Sequence, residues 1–414
     1  MTKKLLIILF SFLFLATAYA DTNYKKIRKK AEVNKPELIF PVANENIEGC
    51  IFYKNLKPSQ NKVKPILDLD APADYGLDDR YMAFLKFFDL HLNSCGVGEE
   101  FACQTTKDII LNWAKVDAAK RTGPSDEEAK HWNDTLTINL WVASPMLAGY
   151  SFVKQVIDVD AKEDKIIKEW LEKIVKKNNH LMYSKKYKND AKTQARGKPR
   201  SAHNHALSSA IAHMQLGIIL DDDKYFRKAF RNFQDAIKSQ RKDGSLPIET
   251  RRGGRAMFYQ GRAMTALATI AVISENQGYD IWNVNFKKKN FHNIVKFFID
   301  FTENNEIVFK YAKEMKAPGP AKNYKVQDLR FGSISNWAWL YSYATRFPDH
   351  ENISRLKSWI PNYKNLNTYQ KNLVRHYIEI NKSATSRTST WSVVRPNCFL
   401  VLKDNLNKIP KAIN

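Results

Sequence analysis

The stretch Ser201-Ala-His-Asn-His-Ala-Leu-Ser-Ser-Ala-Ile-Ala-His-Met-Gln-Leu-Gly-Ile-Ile-Leu220 decides how this chain is read. Leu207, Ile211, Met214 and Ile218 recur at threes and fours, which predicts a helix with an apolar face over 204–220. Asn204 and His205 fall at its start, with Ser201 nearby as a cap. A helix start offers unpaired N–H groups and the positive end of the dipole, so it suits an anion. An Asn amide and a His placed there can hold a carboxylate. A single His in such a place is otherwise an ordinary capping or surface residue.

The same periodicity spreads outward. It begins at Asp78 with Tyr81, Phe84, Leu85, Phe88 and Leu92, and recurs over 108–119, 133–156, 162–176, 224–239, 255–274, 291–301, 333–345 and 369–380. Arg121-Thr-Gly-Pro124, Asp243-Gly244 and Pro318-Gly-Pro320 separate these segments as turns. Strand-like alternation is confined to 390–402. The pattern predicts an all-α fold, an (α/α) toroid (an incomplete barrel) of stacked antiparallel helical hairpins. No fixed period supports a repeat solenoid. Pro36, Pro41, Pro58, Pro65 and Pro72 make 21–75 an irregular arm, and 76–414 is expected to be a single helical domain.

Residues 1–20 read as a signal peptide: Lys3 and Lys4, then the apolar run Leu5 to Ala16, then Ala18-Tyr19-Ala20. The run is short for a membrane span, so a periplasmic protein without stable membrane insertion is expected. Lys and Arg number 66 against 43 Asp and Glu, a net charge of +23, which points to an acidic partner as readily as to compositional bias. No nucleic-acid partner is expected for an exported chain without a nucleic-acid motif. Cys50, Cys95, Cys103 and Cys398 permit two disulfides, and none has metal-ligand spacing. No metal or organic cofactor is expected, and the chain reads as a monomer.

A second constellation follows the helix: Glu249-Thr-Arg-Arg-Gly-Gly-Arg-Ala-Met-Phe-Tyr-Gln260. If 252–266 is helical, Arg252, Arg255, Tyr259 and Arg262 share one face. Cations beside a phenol favour its charged form, and a phenol so placed can exchange protons with a substrate. The competing reading is a solvated basic face, and Gly253-Gly254 leaves the first turn open.

These segments resemble the family-five polysaccharide lyases, the periplasmic poly(β-D-mannuronate) or alginate lyases. That family has an Asn-His pair opening one helix, an Asp-Gly-x-Leu-Pro-x-Glu connector, an Arg-rich turn and a Tyr-bearing helix start. This chain has Asn204-His205, Asp243-Gly-Ser-Leu-Pro-Ile-Glu249, Arg251-Arg252 and Arg255-Ala-Met-Phe-Tyr259. His205 stands 47 residues before Arg252, and Arg252 seven before Tyr259, spacings that fit the family's. Leu111-Asn-Trp-Ala-Lys-Val-Asp-Ala118 and Trp337-Ala-Trp-Leu-Tyr-Ser-Tyr-Ala-Thr-Arg-Phe-Pro348 extend the likeness to about residues 100–350. Asn178-Asn179-His180 copies the family's spelling at the wrong distance from Arg252. The family's aromatic residues after the Asn-His pair are replaced by Ala206-Leu207-Ser208, and Gln260 and Arg262 replace a His and a Tyr. These departures bear on the polymer rather than on the reaction.

The resemblance implies a lyase cleaving 4-linked uronate polymers, alginate or polymannuronate first, by β-elimination. Asn204 and Arg252 would neutralise the C6 carboxylate. Tyr259 would take the C5 proton and return one to O4, and His205 would neutralise or act as base. Arg251, Arg255, Arg262 and Trp337 would bind the acidic polysaccharide. A weaker implication pairs Cys50 with Cys103. Alternatives are a polyglucuronate lyase, a silent binder of acidic exopolysaccharide, and a hydrolase using two carboxylates, for which Asp243 and Glu249 are the acids at hand.

Overall fold

Apolar side chains at helical spacing need a partner surface, and here each helix finds it in the next. The computed structural model describes residues 24–43, 79–119, 142–183, 202–315, 323–329, 336–381 and 393–410. Five helices, Asp79–Cys95, Ser144–Val156, Asn204–Leu220, Ala256–Asn276 and Ala338–Arg346, pack successively side by side. Outside them lie Glu100–Lys115, Ala161–Tyr183, Lys228–Ser239, Phe291–Glu303 and Thr368–Glu379, each against its inner neighbours. This is the (α/α) toroid of helical hairpins. Among the described residues the only β pairing is an isolated bridge between Phe286 and Lys289.

Burial separates the two layers. Ala256–Asn276 is buried on nearly every side, from Ala256 through Ser274 with the exception of Arg262. In Lys228–Ser239 the buried set Ala229, Phe230, Phe233, Ala236 and Ile237 makes one stripe, with Lys228, Arg231 and Lys238 outside it. The ring is tied shut at its ends. Arg395 donates its backbone N–H to Asn93 Oδ1 at 3.0 Å, and its guanidinium lies 3.4 Å from Asp89. The Phe399 ring packs on Phe152 at 4.9 Å.

Several expectations change. The segment expected over 108–119 begins at Glu100 and stops at Lys115, because Asp117 and Ala119 take left-handed φ values of 50° and 57°. The one expected over 224–239 is split at Arg227 into Asp223–Phe226 and Lys228–Ser239. Helix Glu351–Trp359 was not anticipated. The alternation over 390–402 makes no strand where it is described, since Pro396 starts the helical turn Pro396–Phe399 instead. Cys103 pairs with Cys95, not Cys50, across the turn between two consecutive helices, and Cys398 is not a free thiol. Residues 1–20, much of the expected arm and Ser201 lie outside the described residues.

The described part of the arm, 24–43, is helical over 24–30 and then irregular. It is anchored by Gln277, which has no exposed surface. The Gln277 Oε1 accepts from the backbone of Asn34 and Lys35 at 3.1 and 2.9 Å, and Nε2 donates to the carbonyls of Lys35 and Leu38 at 3.0 and 2.6 Å. The arm thus closes over the C-terminal end of Ala256–Asn276.

The connector that leads to the site depends on Gly244. Its φ is +90°, and a Cβ there would lie 1.9 Å from the carbonyl oxygen of Asn293, in the first turn of Phe291–Glu303. Gly244→Ala is therefore expected to lower the unfolding free energy by about 2 kcal/mol or more, read from denaturant titration. A loss under roughly 0.5 kcal/mol, the range of ordinary surface changes, would contradict this packing.

Candidate active site

Helix Asn204–Leu220 begins as its sequence predicts, but its cap is His203 rather than Ser201. The His203 Nδ1 accepts from the His205 backbone N–H at 3.3 Å. This leaves the His203 and His205 rings 4.8 Å apart, each partly buried. Asn204 points inward and has no exposed surface. Its backbone N–H donates to Glu249 Oε1 at 2.8 Å, and its Nδ2 donates to Glu249 Oε2 at 2.7 Å.

Glu249 sits in the short helix Pro247–Thr250, which the Leu246 N–H ties to Gln260 Oε1 at 3.0 Å. Arg252 follows three residues later, with Nη1 3.8 Å from Glu249 Oε2 and 3.4 Å from His203 Nε2. Gly253 then takes a φ of 57°, and a 3-10 turn, Gly253–Arg255, precedes helix Ala256–Asn276. The turn throws Arg252 back over that helix. Its guanidinium carbon lies 3.5 Å from the centre of the Tyr259 ring, a stacking distance. Arg262 covers Phe258 at 4.1 Å and lies 5.9 Å from the Tyr259 ring centre.

The structure therefore brings Asn204, His205, Arg252, Tyr259 and Arg262 into one cluster, with His203 and Glu249 added. It does not bring in three other candidates. Arg251 is bound to Glu314, with Nε donating at 2.7 Å and Nη2 at 2.6 Å. Arg255 faces Asp328 at 3.9 Å, because the 3-10 turn breaks the helical phase that was to put it beside Tyr259. Trp337 is fully buried, stacked on His376 at 4.7 Å and edge-on to Phe298, so it has no face to offer a sugar. Nor do Asp243 and Glu249 make a hydrolase pair. Asp243 accepts from the Tyr311 hydroxyl at 2.6 Å and from Ser245, while Glu249 is sealed beneath Asn204. Glu249 could have been singled out by its Glu-x-x-Arg spacing to Arg252, and His203 by its place one residue before the helix.

Electrostatics divides the cluster into charged and neutral members. Loss of solvent, and then the charge of Arg252, lowers the pKa of His203 to about 3. Desolvation holds His205 well below its ordinary value too, helped by His203, Arg252 and Arg262. Both imidazoles are neutral at neutral pH. Burial raises the pKa of Glu249 against the opposing pull of Arg252 and of the Asn204 hydrogen bonds. With both oxygens accepting, the bonding is that of a carboxylate.

Comparison with known proteins bears on the same segments. A family model described as alginate lyase matches residues 98–309, half of the chain. A polysaccharide lyase of Stenotrophomonas maltophilia is 32% identical over 81 residues, 20% of this chain and 24% of that one. An alginate lyase of Pseudomonas syringae pv. tomato is 24% identical over 183 residues, 42% of each. The chain thus spans less than half the length of these curated relatives. The crystal structure of alginate lyase A1-III from Sphingomonas species A1 superposes with a TM-score of 0.63 at 18% identity, over 79% of this chain and 92% of that one. A Tyr-to-Phe variant of that lyase, complexed with a tetrasaccharide, superposes equally well. At this identity the likeness is one of fold.

The depressed His203 pKa predicts a pH-dependent stability. Below the ordinary histidine value of 6.5 the unfolded chain takes up a proton that the folded chain refuses down to about 3. The contribution is complete above that upper value and is lost as pH falls towards the lower one. His203→Asn, which keeps a cap acceptor, is expected to lose less melting temperature than the parent between about pH 7 and about pH 5. Equal losses would refute the assignment.

Proposed function

The chain belongs to the alginate lyase family, and on that premise we propose that it cleaves 4-linked uronate polymers, polymannuronate first, by β-elimination. The observation that carries this is the Arg252 guanidinium lying on the Tyr259 ring beside two neutral imidazoles. The relatives named above as alginate and polysaccharide lyases support the substrate class.

Elimination must take a proton from C5, break the C4–O4 bond and leave a C4=C5 double bond. An ionised C6 carboxylate resists the first step, because the carbanion would build charge beside an existing charge. Arg252 offsets this by binding the carboxylate and the negative charge that grows on it. Asn204 shares this contact through its side-chain amide. Its Nδ2 also donates to Glu249, which ties that amide to the Arg252 side of the site. Tyr259 removes the C5 proton where that proton lies on the same side as O4, as in mannuronate, and delivers a proton to the departing O4. His205, as a neutral imidazole, suits a base for the opposite C5 configuration and not a cationic neutraliser. These side chains supply base, acid and neutralising charge themselves.

The reading extends to setting. The apolar run after Lys3 and Lys4 supports export to the periplasm, and the net charge of +23 suits an anionic polymer. Among the described residues no helix is long and apolar enough to cross a membrane.

The test is ultraviolet absorbance of the unsaturated uronate during incubation with polymannuronate, polyguluronate and polyglucuronate. Growth of absorbance on polymannuronate is expected, whereas reducing ends without absorbance would mean hydrolysis. Tyr259→Phe should cut turnover by about 100-fold or more, the scale of a lost acid–base group, and leave polymer affinity within about threefold. Near-native turnover in that variant would sink the assignment.

A further inference from the structure

Glu249 lies outside the chemistry above, yet it touches both Asn204 and Arg252. It has no exposed surface, and both of its oxygens are engaged by Asn204, at 2.8 and 2.7 Å. Oε2 is also 3.8 Å from Arg252 Nη1, and Arg262 acts on the carboxylate through its charge. Its own helical turn is tied to Gln260, the residue after Tyr259, through the Leu246 N–H. One side chain therefore joins the start of the helix that carries His205 to the guanidinium that covers Tyr259. Building on the elimination reading, we infer that Glu249 is a positioning residue of this site: its carboxylate holds the Asn204 amide and the Arg252 guanidinium in register with Tyr259.

The alternative is a plain structural cap, and the chemistry argues against it. A buried carboxylate carries a desolvation cost that an uncharged cap would avoid. What the charge adds is orientation. A carboxylate accepts on both oxygens, so the Asn204 amide must turn its NH2 towards it. A glutamine at 249 could accept on one oxygen only, and its own NH2 would confront that of Asn204. The amide would have to turn over, and Arg252 would lose its anionic neighbour. The groups facing Glu249 are Asn204, Arg252 and Arg262, with His203 and His205 neutral beside them. Protonating Glu249 has the same effect as the glutamine. Turnover should then fall on the acid side as pH drops through the Glu249 titration, which burial shifts upward from its ordinary value.

The experiment compares the parent protein, Glu249→Gln and Glu249→Asp on a polymer that the parent cleaves, with melting temperatures measured alongside. Glu249→Gln is expected to melt cooperatively, to lose at least about tenfold in kcat with KM unchanged or lower, and to lose the acid limb. Glu249→Asp, which keeps the charge, should recover part of kcat and retain the limb. A folded Glu249→Gln variant with parental kcat and pH profile would overturn the inference. So would an aspartate variant no better than the glutamine one. If Glu249→Gln does not fold, the aspartate variant decides, and absence of its acid limb counts against the inference. Should the parent make no unsaturated product from any polymer, the elimination reading fails by itself. A crystal structure of Glu249→Gln, or of Glu249→Asp where the former does not fold, then decides the positioning role. Arg252 leaving the Tyr259 ring would support it, and Asn204 and Arg252 unmoved would overturn it.

Discussion

A carboxylate without water stays charged only where donors and cations surround it, and that constraint fixes the heart of this protein. Glu249 meets it with the backbone and side-chain N–H groups of Asn204 and with Arg252. The Asn204 contacts require Asn204–Leu220 to begin where it does. The Arg252 contact requires the chain to leave Pro247–Thr250 in a tight turn, which Gly253 provides through its left-handed φ. Behind them, Ala256–Asn276 is buried almost all round, so Tyr259 is carried by a rigid element. The outer helices and the arm anchored by Gln277 serve chiefly to keep that inner layer dry.

Much of this was legible in the residues, and the failures have particular causes. Leu207, Ile211, Met214 and Ile218 fixed helix 204–220 to the residue, because a long apolar period with a polar start admits little else. The wide spacing from His205 to Arg252 led to the right neighbours because connector and turn are both short and rigid. The shared face of Arg252, Arg255 and Tyr259 did not survive, since one 3-10 turn shifts the phase of everything before Ala256. Arg252 reaches Tyr259 from the turn and not along a helix face. Trp337 shows a different limit: periodicity marks an aromatic residue as helical but cannot tell a core ring from a sugar platform. Glu249 was read only as a connector residue or a hydrolase acid, since acids in turn-like connectors are usually solvated. Its partner lies 45 residues away, and no local pattern encodes that.

The charge balance of the cluster ties fold to chemistry. Two histidines beside two guanidiniums could have made a strongly cationic pocket, which would bind any anion and release it slowly. Burial prevents this by keeping His203 and His205 neutral, so positive charge resides on Arg252 and Arg262 alone. Glu249 then offsets one of these, and the named groups carry an excess of a single positive charge. On the proposed elimination, that excess matches one uronate carboxylate. Part of it lies on the Tyr259 ring, where the proposed elimination would have the substrate's charge grow. Neutral, the two imidazoles add no further positive charge to it.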